Sequence, residues 1–197
     1  MSGPDPSYWE TSYLEKRTPW DLGGPTPVFA RLISEAAVPA GRLLIPGAGR
    51  GHDAIAFARA GFSVTTVDVS PTACAELRAE AEAAGVAIEV LTADFFTFSP
   101  DAPFDAVLEY TFFCAIDPAM RPAYRDRMER LIRPGGLLFG LFFPLDRQEE
   151  DGPPFPVRLD EVEALFGAAF TLERSELPFD SIKPRALNER LMLWRRR

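Results

Sequence analysis

The stretch from Leu43 to Ser70 constrains this chain more than any other part of it. Leu43, Leu44 and Ile45 form a short apolar run suited to a buried parallel strand. Gly47, Gly49 and Gly51 follow, and a turn without side chains at those positions can pass close to a ligand. Ala54 to Ala60 continues as an alanine-rich helix, and Phe62 to Val67 is a second apolar, β-branched run closed by Asp68. An acidic side chain about twenty residues past the first glycine suits a pair of hydrogen bonds to two ribose hydroxyls. The unit reads as strand, glycine turn, helix and strand, and it points to a nucleoside-bearing ligand.

The glycine spacing narrows the nucleoside. A dinucleotide fingerprint would place a third glycine where this chain has His52; here the pattern is G-x-G-x-G, with Arg50 and His52 flanking the last glycine. No G-x-x-x-x-G-K-[ST] phosphate loop occurs, which argues against a nucleoside triphosphate. The G-x-G-x-G form followed by a strand ending in Asp68 resembles the first two motifs of class I S-adenosylmethionine-dependent methyltransferases.

Composition bounds the rest. With 197 residues, 47% of them hydrophobic, one well-packed domain over residues 1–197 is expected. No apolar run reaches the length of a membrane span, and Met1 to Pro6 lacks the basic and apolar regions of a signal peptide. The 2 cysteines, Cys74 and Cys114, have no metal-ligand neighbours, and with 1 histidine no metal site is expected. These features suit a reducing, cytoplasmic setting. A net charge of −8 disfavours nucleic acid and anionic membranes as partners, leaving a small-molecule partner, and a monomer is expected. Arg195 to Arg197 reads as a solvated tail.

Along the chain, residues 7–17 suit a short helix with an aromatic face, and Thr18 to Pro27 is too rich in turn residues for one regular element. Residues 28–37 form a further helix, so residues 1–38 read as an N-terminal helical cover and residues 42–197 as an α/β core. Pro71 to Ala84 is a helix capped by Ser70 and ended by Gly85. Val86 to Leu91 and Phe104 to Tyr110 are strands, Pro118 to Ile132 is a helix, and a turn over Arg133 to Gly136 precedes a strand from Leu137 to Phe143. A helix over Leu159 to Phe166 and strands near Phe170 to Glu173 and Glu189 to Trp194 complete the chain, with Gln148 to Pro156 as the expected mobile loop. The alternation implies a doubly wound, mostly parallel, Rossmann-like sheet of about seven strands with helices on both faces.

In such sheets ligands bind beyond the carboxyl ends of the strands. Those ends carry Gly47 and Gly49, then Asp68 and Val69, then Asp94 and Phe95, then Glu109, Tyr110 and Phe113, then Phe143. Asp94 suits an adenine amino group, with Phe95 offering a flat face or a backbone donor.

Several blocks together resemble the thiopurine S-methyltransferase family, above all its halide and thiol methyltransferase branch. They are Trp9-Glu10, Thr18 to Gly23, Pro46 to Asp53, Phe112 to Ile116, Arg133 to Gly136 and Gly152 to Phe155. Ser181 to Arg185 with Glu189 matches more loosely. The resemblance implies S-adenosylmethionine as cofactor, with S-adenosylhomocysteine as product. It implies Trp9 and Trp20 as cover residues, Gly47, Gly49, Asp68, Asp94 and Phe95 as cofactor contacts, and Glu109-Tyr110 at the fourth-strand contact. Members of that branch often carry a tyrosine where this chain has Phe143, a departure that bears on halide use. Of the two arginines that steer a thiopurine carboxylate, Arg185 is a candidate for one.

The methyl group of a sulfonium is already electrophilic and a thiolate or halide already nucleophilic, so transfer needs alignment more than acid–base help. No residue is therefore expected to be catalytic in itself, with positioning by Trp20, Phe113 and Phe143. Aromatic faces such as Trp9, Trp20, Tyr110 and Phe113 can stabilise a sulfonium by about 0.5–2 kcal/mol each. Phe113, Phe143 and Arg185 are the expected acceptor pocket. His52 reads as a loop-fixing residue, Asp53 as a helix-start residue, Cys74 as inert, Cys114 as a pocket neighbour, and Arg185 with Glu189 as an ion pair on the pocket rim. The expected reaction moves a methyl group to a small soft nucleophile, foremost a thiol or sulfide. Thiopurine, aromatic-thiol, halide or selenium and tellurium acceptors are alternatives. A non-catalytic S-adenosylmethionine-binding module is the alternative from another class, and a nicotinamide oxidoreductase is disfavoured by His52.

Overall fold

The computed structural model describes residues 5–149 and 151–197, so the start of the expected cover, Met1 to Pro4, lies outside the described residues, as does Glu150 of the loop before Pro156. Residues 5–99 contain α1 (Pro6–Leu14), α2 (Pro27–Ser34), β1 (Arg42–Pro46), α3 (His52–Arg59), β2 (Ser63–Asp68), α4 (Pro71–Ala83) and β3 (Ile88–Thr92). Residues 100–197 contain β4 (Phe104–Tyr110), a 3-10 turn (Pro118–Met120), α5 (Arg121–Leu131), β5 (Ile132–Phe142), α6 (Leu159–Phe166), β6 (Phe170–Glu176) and β7 (Arg190–Arg196). The described strands form a seven-stranded sheet in the order β3-β2-β1-β4-β5-β7-β6. β1, β2 and β3 pair in parallel, as do β4 and β5, whereas β7 runs antiparallel to both β5 and β6. The expected doubly wound, mostly parallel sheet is present.

Local chemistry sets the helix starts. Asp5 accepts from Ser7 N at 2.8 Å and opens α1, while Ser70 Oγ accepts from Ala73 N at 3.0 Å and opens α4 ahead of Pro71. Gly85 at φ +68° stops α4, a left-handed position that glycine takes without strain. In residues 5–99, Leu43, Leu44, Val67, Phe57 and Leu77 are buried around β1 and β2. In residues 100–197, Phe166 of α6 packs against Phe142, Phe170 and Trp194, with centroid distances of 6.3, 5.8 and 5.8 Å. Such aromatic pairs add about 0.5–1.5 kcal/mol each beyond their buried area.

Three expectations are corrected. Arg133 to Gly136 is not a turn before the strand, because β5 already pairs at Ile132 with Phe104 and resumes at Leu137 with Ala106, so residues 133–136 are looped out within the ladder. Gly135 at φ +75° permits the excursion, and Arg133 Nε on Asp105 Oδ1 at 2.6 Å holds it. Arg195 and Arg196 are not a solvated tail but the end of β7: Arg195 Nη1 donates to Gly135 O at 2.7 Å, and Arg196 donates to Ile132 O. The helix expected from Pro118 begins as a 3-10 turn capped by Asp117 and becomes α-helical only at Arg121. Among the described residues no helix is long and apolar enough to cross a membrane.

Candidate active site

The turn between β1 and α3 takes the shape its glycines allow. Gly47, Gly49 and Gly51 have φ of +59°, +54° and +75°. Asp68, at the end of β2, accepts from Gly49 N at 3.1 Å through Oδ2 and from Ser70 N at 2.9 Å through Oδ1. Burial raises the Asp68 carboxyl above its ordinary range, opposed by the N–H groups of Ser70, Gly49 and Val69. An ionised carboxylate has four lone pairs in all, so beside these three N–H groups it keeps acceptor capacity for an incoming hydroxyl. That capacity and the glycine turn fit a nucleoside sugar.

The N-terminal segment is fastened onto this turn. The Tyr13 hydroxyl packs on Gly49, where an added Cβ would lie 2.7 Å from it, so only glycine fits. Trp20 Nε1 donates to that hydroxyl at 3.1 Å, and the Trp9 and Trp20 rings meet edge-on at 5.3 Å. Arg50 pairs with Asp21, donates to Thr18 Oγ1 at 2.9 Å and pairs with Glu76 at 2.7 Å. His52 Nε2 lies 3.1 Å from Asp21 Oδ1, which gives the histidine the expected loop-fixing contact. Burial opposes the charge on Asp21, but the Arg50 guanidinium, the Gly23 N–H and His52 outweigh it and hold the carboxyl below its ordinary value. Asp53 lies in the first turn of α3, yet its carboxylate reaches Thr26 at the start of α2, accepting from N at 2.7 Å and from Oγ1 at 2.9 Å. Glu10 accepts from Ser70 Oγ at 2.6 Å and from Thr72 N at 3.1 Å, fastening α1 to the start of α4. Sequence reasoning missed the roles of Glu10 and Tyr13, because nothing in a short helix marks which of its residues face a partner.

After β3, Asp94 is exposed and accepts from Phe96 N at 2.8 Å, closing a turn. Phe95 is 2% exposed, so its ring offers no flat face to a ligand and only its backbone is left for that contact. Cys74 is buried with Sγ 3.8 Å from Asp68 O.

In residues 100–197, Phe113 is part of the core, ringed by Tyr124, Phe142 and Phe166, with the Arg121 guanidinium 4.6 Å from its centroid. Cys114 is buried, its thiol pushed up to about 12, chiefly by burial. Half-buried Tyr110 and Phe143 instead flank Arg185, whose guanidinium carbon lies 4.6 Å from one ring centroid and 4.9 Å from the other. Arg185 and Glu189 are buried, not on a rim. Glu189 Oε2 accepts from Tyr110 Oη at 3.4 Å. Among the described residues no cluster of side chains suits a metal ion.

Glu109 turns inward instead of toward a ligand. Oε1 accepts from Phe113 N at 2.8 Å and Oε2 from Tyr124 Oη, so the carboxylate shapes the turn after β4. Burial pushes its pKa from 4.5 to about 7, against the N–H groups of Phe113 and Phe112 and the Tyr124 hydroxyl. A proton is held more tightly folded than unfolded, so the stabilisation is complete below about pH 4.5 and is lost as pH rises through about 7. The loss amounts to about 3 kcal/mol. Between about pH 5 and about pH 8 the melting temperature of the wild type should therefore fall more steeply than that of Glu109→Gln. Parallel melting curves for the two would refute the assignment.

Comparison with known proteins agrees with this geometry. The thiopurine S-methyltransferase family matches residues 4–196. Probable thiol methyltransferase 2 of Arabidopsis thaliana is 38% identical over 202 residues, covering 100% of this chain and 88% of that protein. Thiocyanate methyltransferase 1 of Brassica oleracea is 36% identical, covering 95% of this chain and 84% of that protein. The crystal structure of Burkholderia thailandensis 1,6-didemethyltoxoflavin-N1-methyltransferase with bound 1,6-didemethyltoxoflavin and S-adenosylhomocysteine superposes with a TM-score of 0.75 at 26% identity, covering 97% of this chain and 86% of that one. With its glycine turn, its Asp68 and a match along nearly its whole length, the chain belongs to the thiopurine S-methyltransferase family of S-adenosylmethionine-dependent methyltransferases.

Proposed function

We propose that this enzyme methylates the sulfur of a small acceptor, a thiol, bisulfide or thiocyanate. The observation that carries the donor half is the Asp68 carboxylate, fixed by Gly49 N and Ser70 N and keeping acceptor capacity for ribose hydroxyls. Trp9 and Trp20 cover the donor, Gly47 and Gly49 let it approach the backbone, and Val69, Asp94 and the Phe95 backbone border its base. When bound, S-adenosylmethionine supplies a methyl group on a sulfonium centre. Tyr110, Phe143 and Arg185 form the acceptor-binding group, two polarisable rings around a fixed positive charge. That combination suits a soft, anionic nucleophile, and relatives named for thiols and thiocyanate support the reading. Phe143 has no hydroxyl to offer a bare halide, which favours sulfur over iodide. A cytoplasmic monomer acting on a small molecule fits the 2 free, buried cysteines.

The test is release of S-adenosylhomocysteine with bisulfide, 2-mercaptoethanol, thiocyanate, iodide and a thiopurine offered in turn. A sulfur acceptor should give the highest kcat/KM. Fastest turnover of iodide would overturn the choice of sulfur, and no release from any acceptor would overturn the reading as a whole.

A further inference from the structure

Glu189 has 0% exposure, and the Arg185 guanidinium is the positive charge that acts on it. Its Oε1 has no hydrogen-bond partner, while Oε2 takes the long bond from Tyr110 Oη at 3.4 Å, with the Ser181 hydroxyl close by. A buried carboxylate left so poorly satisfied is costly, and such groups persist where chemistry uses them. Its position is also built. Asn188 Oδ1 accepts from Leu145 N at 2.7 Å and from Asp146 N at 2.9 Å, tying the approach to β7 to the chain that follows β5. Arg185 N donates to Ile182 O and Asn188 N to Arg185 O, so successive turns carry the chain from Ile182 to Glu189. Tyr110, at the carboxyl end of β4, is the half-buried outer partner of this pair.

We propose that Tyr110 and Glu189 form a proton relay that ionises a neutral thiol acceptor, with Glu189 as the terminal proton acceptor. The inference rests on sulfur methylation as proposed above and deepens it to acceptors that arrive protonated. The thiol proton passes to Tyr110 Oη as the tyrosine proton passes to Glu189 Oε2. The freed sulfur lone pair forms the bond to the methyl carbon while the bond from that carbon to the donor sulfur breaks, its electron pair staying on the donor sulfur. The proton then leaves Glu189 for water as the thioether departs. Tyr110 touches the substrate and is the catalytic residue, whereas Glu189 acts through it. The groups facing Glu189 balance its basicity. Burial raises its pKa and Asp180 adds to that, while Ser181, Arg185 and the Tyr110 hydroxyl oppose it. Arg185, lodged against the Tyr110 ring, supplies a fixed positive charge for the nascent thiolate.

Thiocyanate needs no deprotonation and 2-mercaptoethanol does, so the kcat/KM for 2-mercaptoethanol divided by that for thiocyanate reads the relay. In Glu189→Gln that ratio should fall about tenfold or more near pH 7, and the deficit should close toward about pH 9 as the thiol ionises unaided. Tyr110→Phe, which keeps the ring under Arg185, should lower the ratio alike and decides the matter if thermal melts show Glu189→Gln to be unfolded. A ratio within about twofold of wild type in the folded variants would overturn the relay and leave sulfur methylation standing. A wild type that turns over neither acceptor would overturn both.

Discussion

Replacing Asp68 with alanine should lower the affinity for S-adenosylhomocysteine about a hundredfold or more when read by titration calorimetry. Hydrogen bonds to a charged group contribute about 1.5–3 kcal/mol each, and two to the ribose hydroxyls are lost together. Each 1.4 kcal/mol is about a factor of ten in dissociation constant, so even the lower figures give two orders of magnitude. The same carboxylate orders the turn through Gly49 N and Ser70 N, which adds to the loss. Because burial already disfavours its charge, removing it should leave the protein folded. Asp68→Asn, with the shape kept and the charge gone, should fall between the two. Unchanged affinity in Asp68→Ala would remove the ribose contact from this account.

A single methyl group at Gly140 should be the most damaging small change in the sheet. Gly140 pairs with Glu109 across β4 and β5, and an added Cβ would overlap the Glu109 carbonyl oxygen and lie 2.7 Å from its carbonyl carbon and its Cβ. Those atoms belong to a buried strand and cannot swing aside. We expect Gly140→Ala to cost about 3 kcal/mol or more. For a chain of this length that lowers the melting temperature by about 10 °C. Gly24→Ala is the control, with nothing within 4 Å of the added carbon, and should stay within about 0.5 kcal/mol of wild type. Equal melting temperatures for the two variants would refute the packing argument.

The elements that could be read in advance are those whose signal is local. β4 and α6 occupy the ranges expected from an apolar run and from helical periodicity, and the glycine turn with Asp68 stands where the spacing put it. What escaped depends on pairing across distance. Proline and two glycines read as a turn at Arg133 to Gly136, and only the Ile132 partner, Phe104, reveals that the ladder has already begun. Arg195 and Arg196 read as a tail because nothing local shows β6 waiting beside them. The same holds in the site. Of 29 acidic residues, the pattern singled out Asp68, Asp94 and Glu109 for a ligand, but it showed neither Glu10 on Ser70 nor that Glu109 lies under Tyr124. Those roles depend on which way a carboxylate faces, and that is decided by packing.

Arg50, His52 and Asp53 have a further consequence. Within four positions they hold Asp21 twice and Thr26 twice, while Glu10 reaches Ser70 and Thr72. Grafting residues 5–26 from one relative onto another would therefore transplant half of each bond. A successful chimera must carry both sides, so the smallest interchangeable piece of this enzyme is discontinuous in the chain, and inheritance by recombination would favour crossovers beyond Thr72.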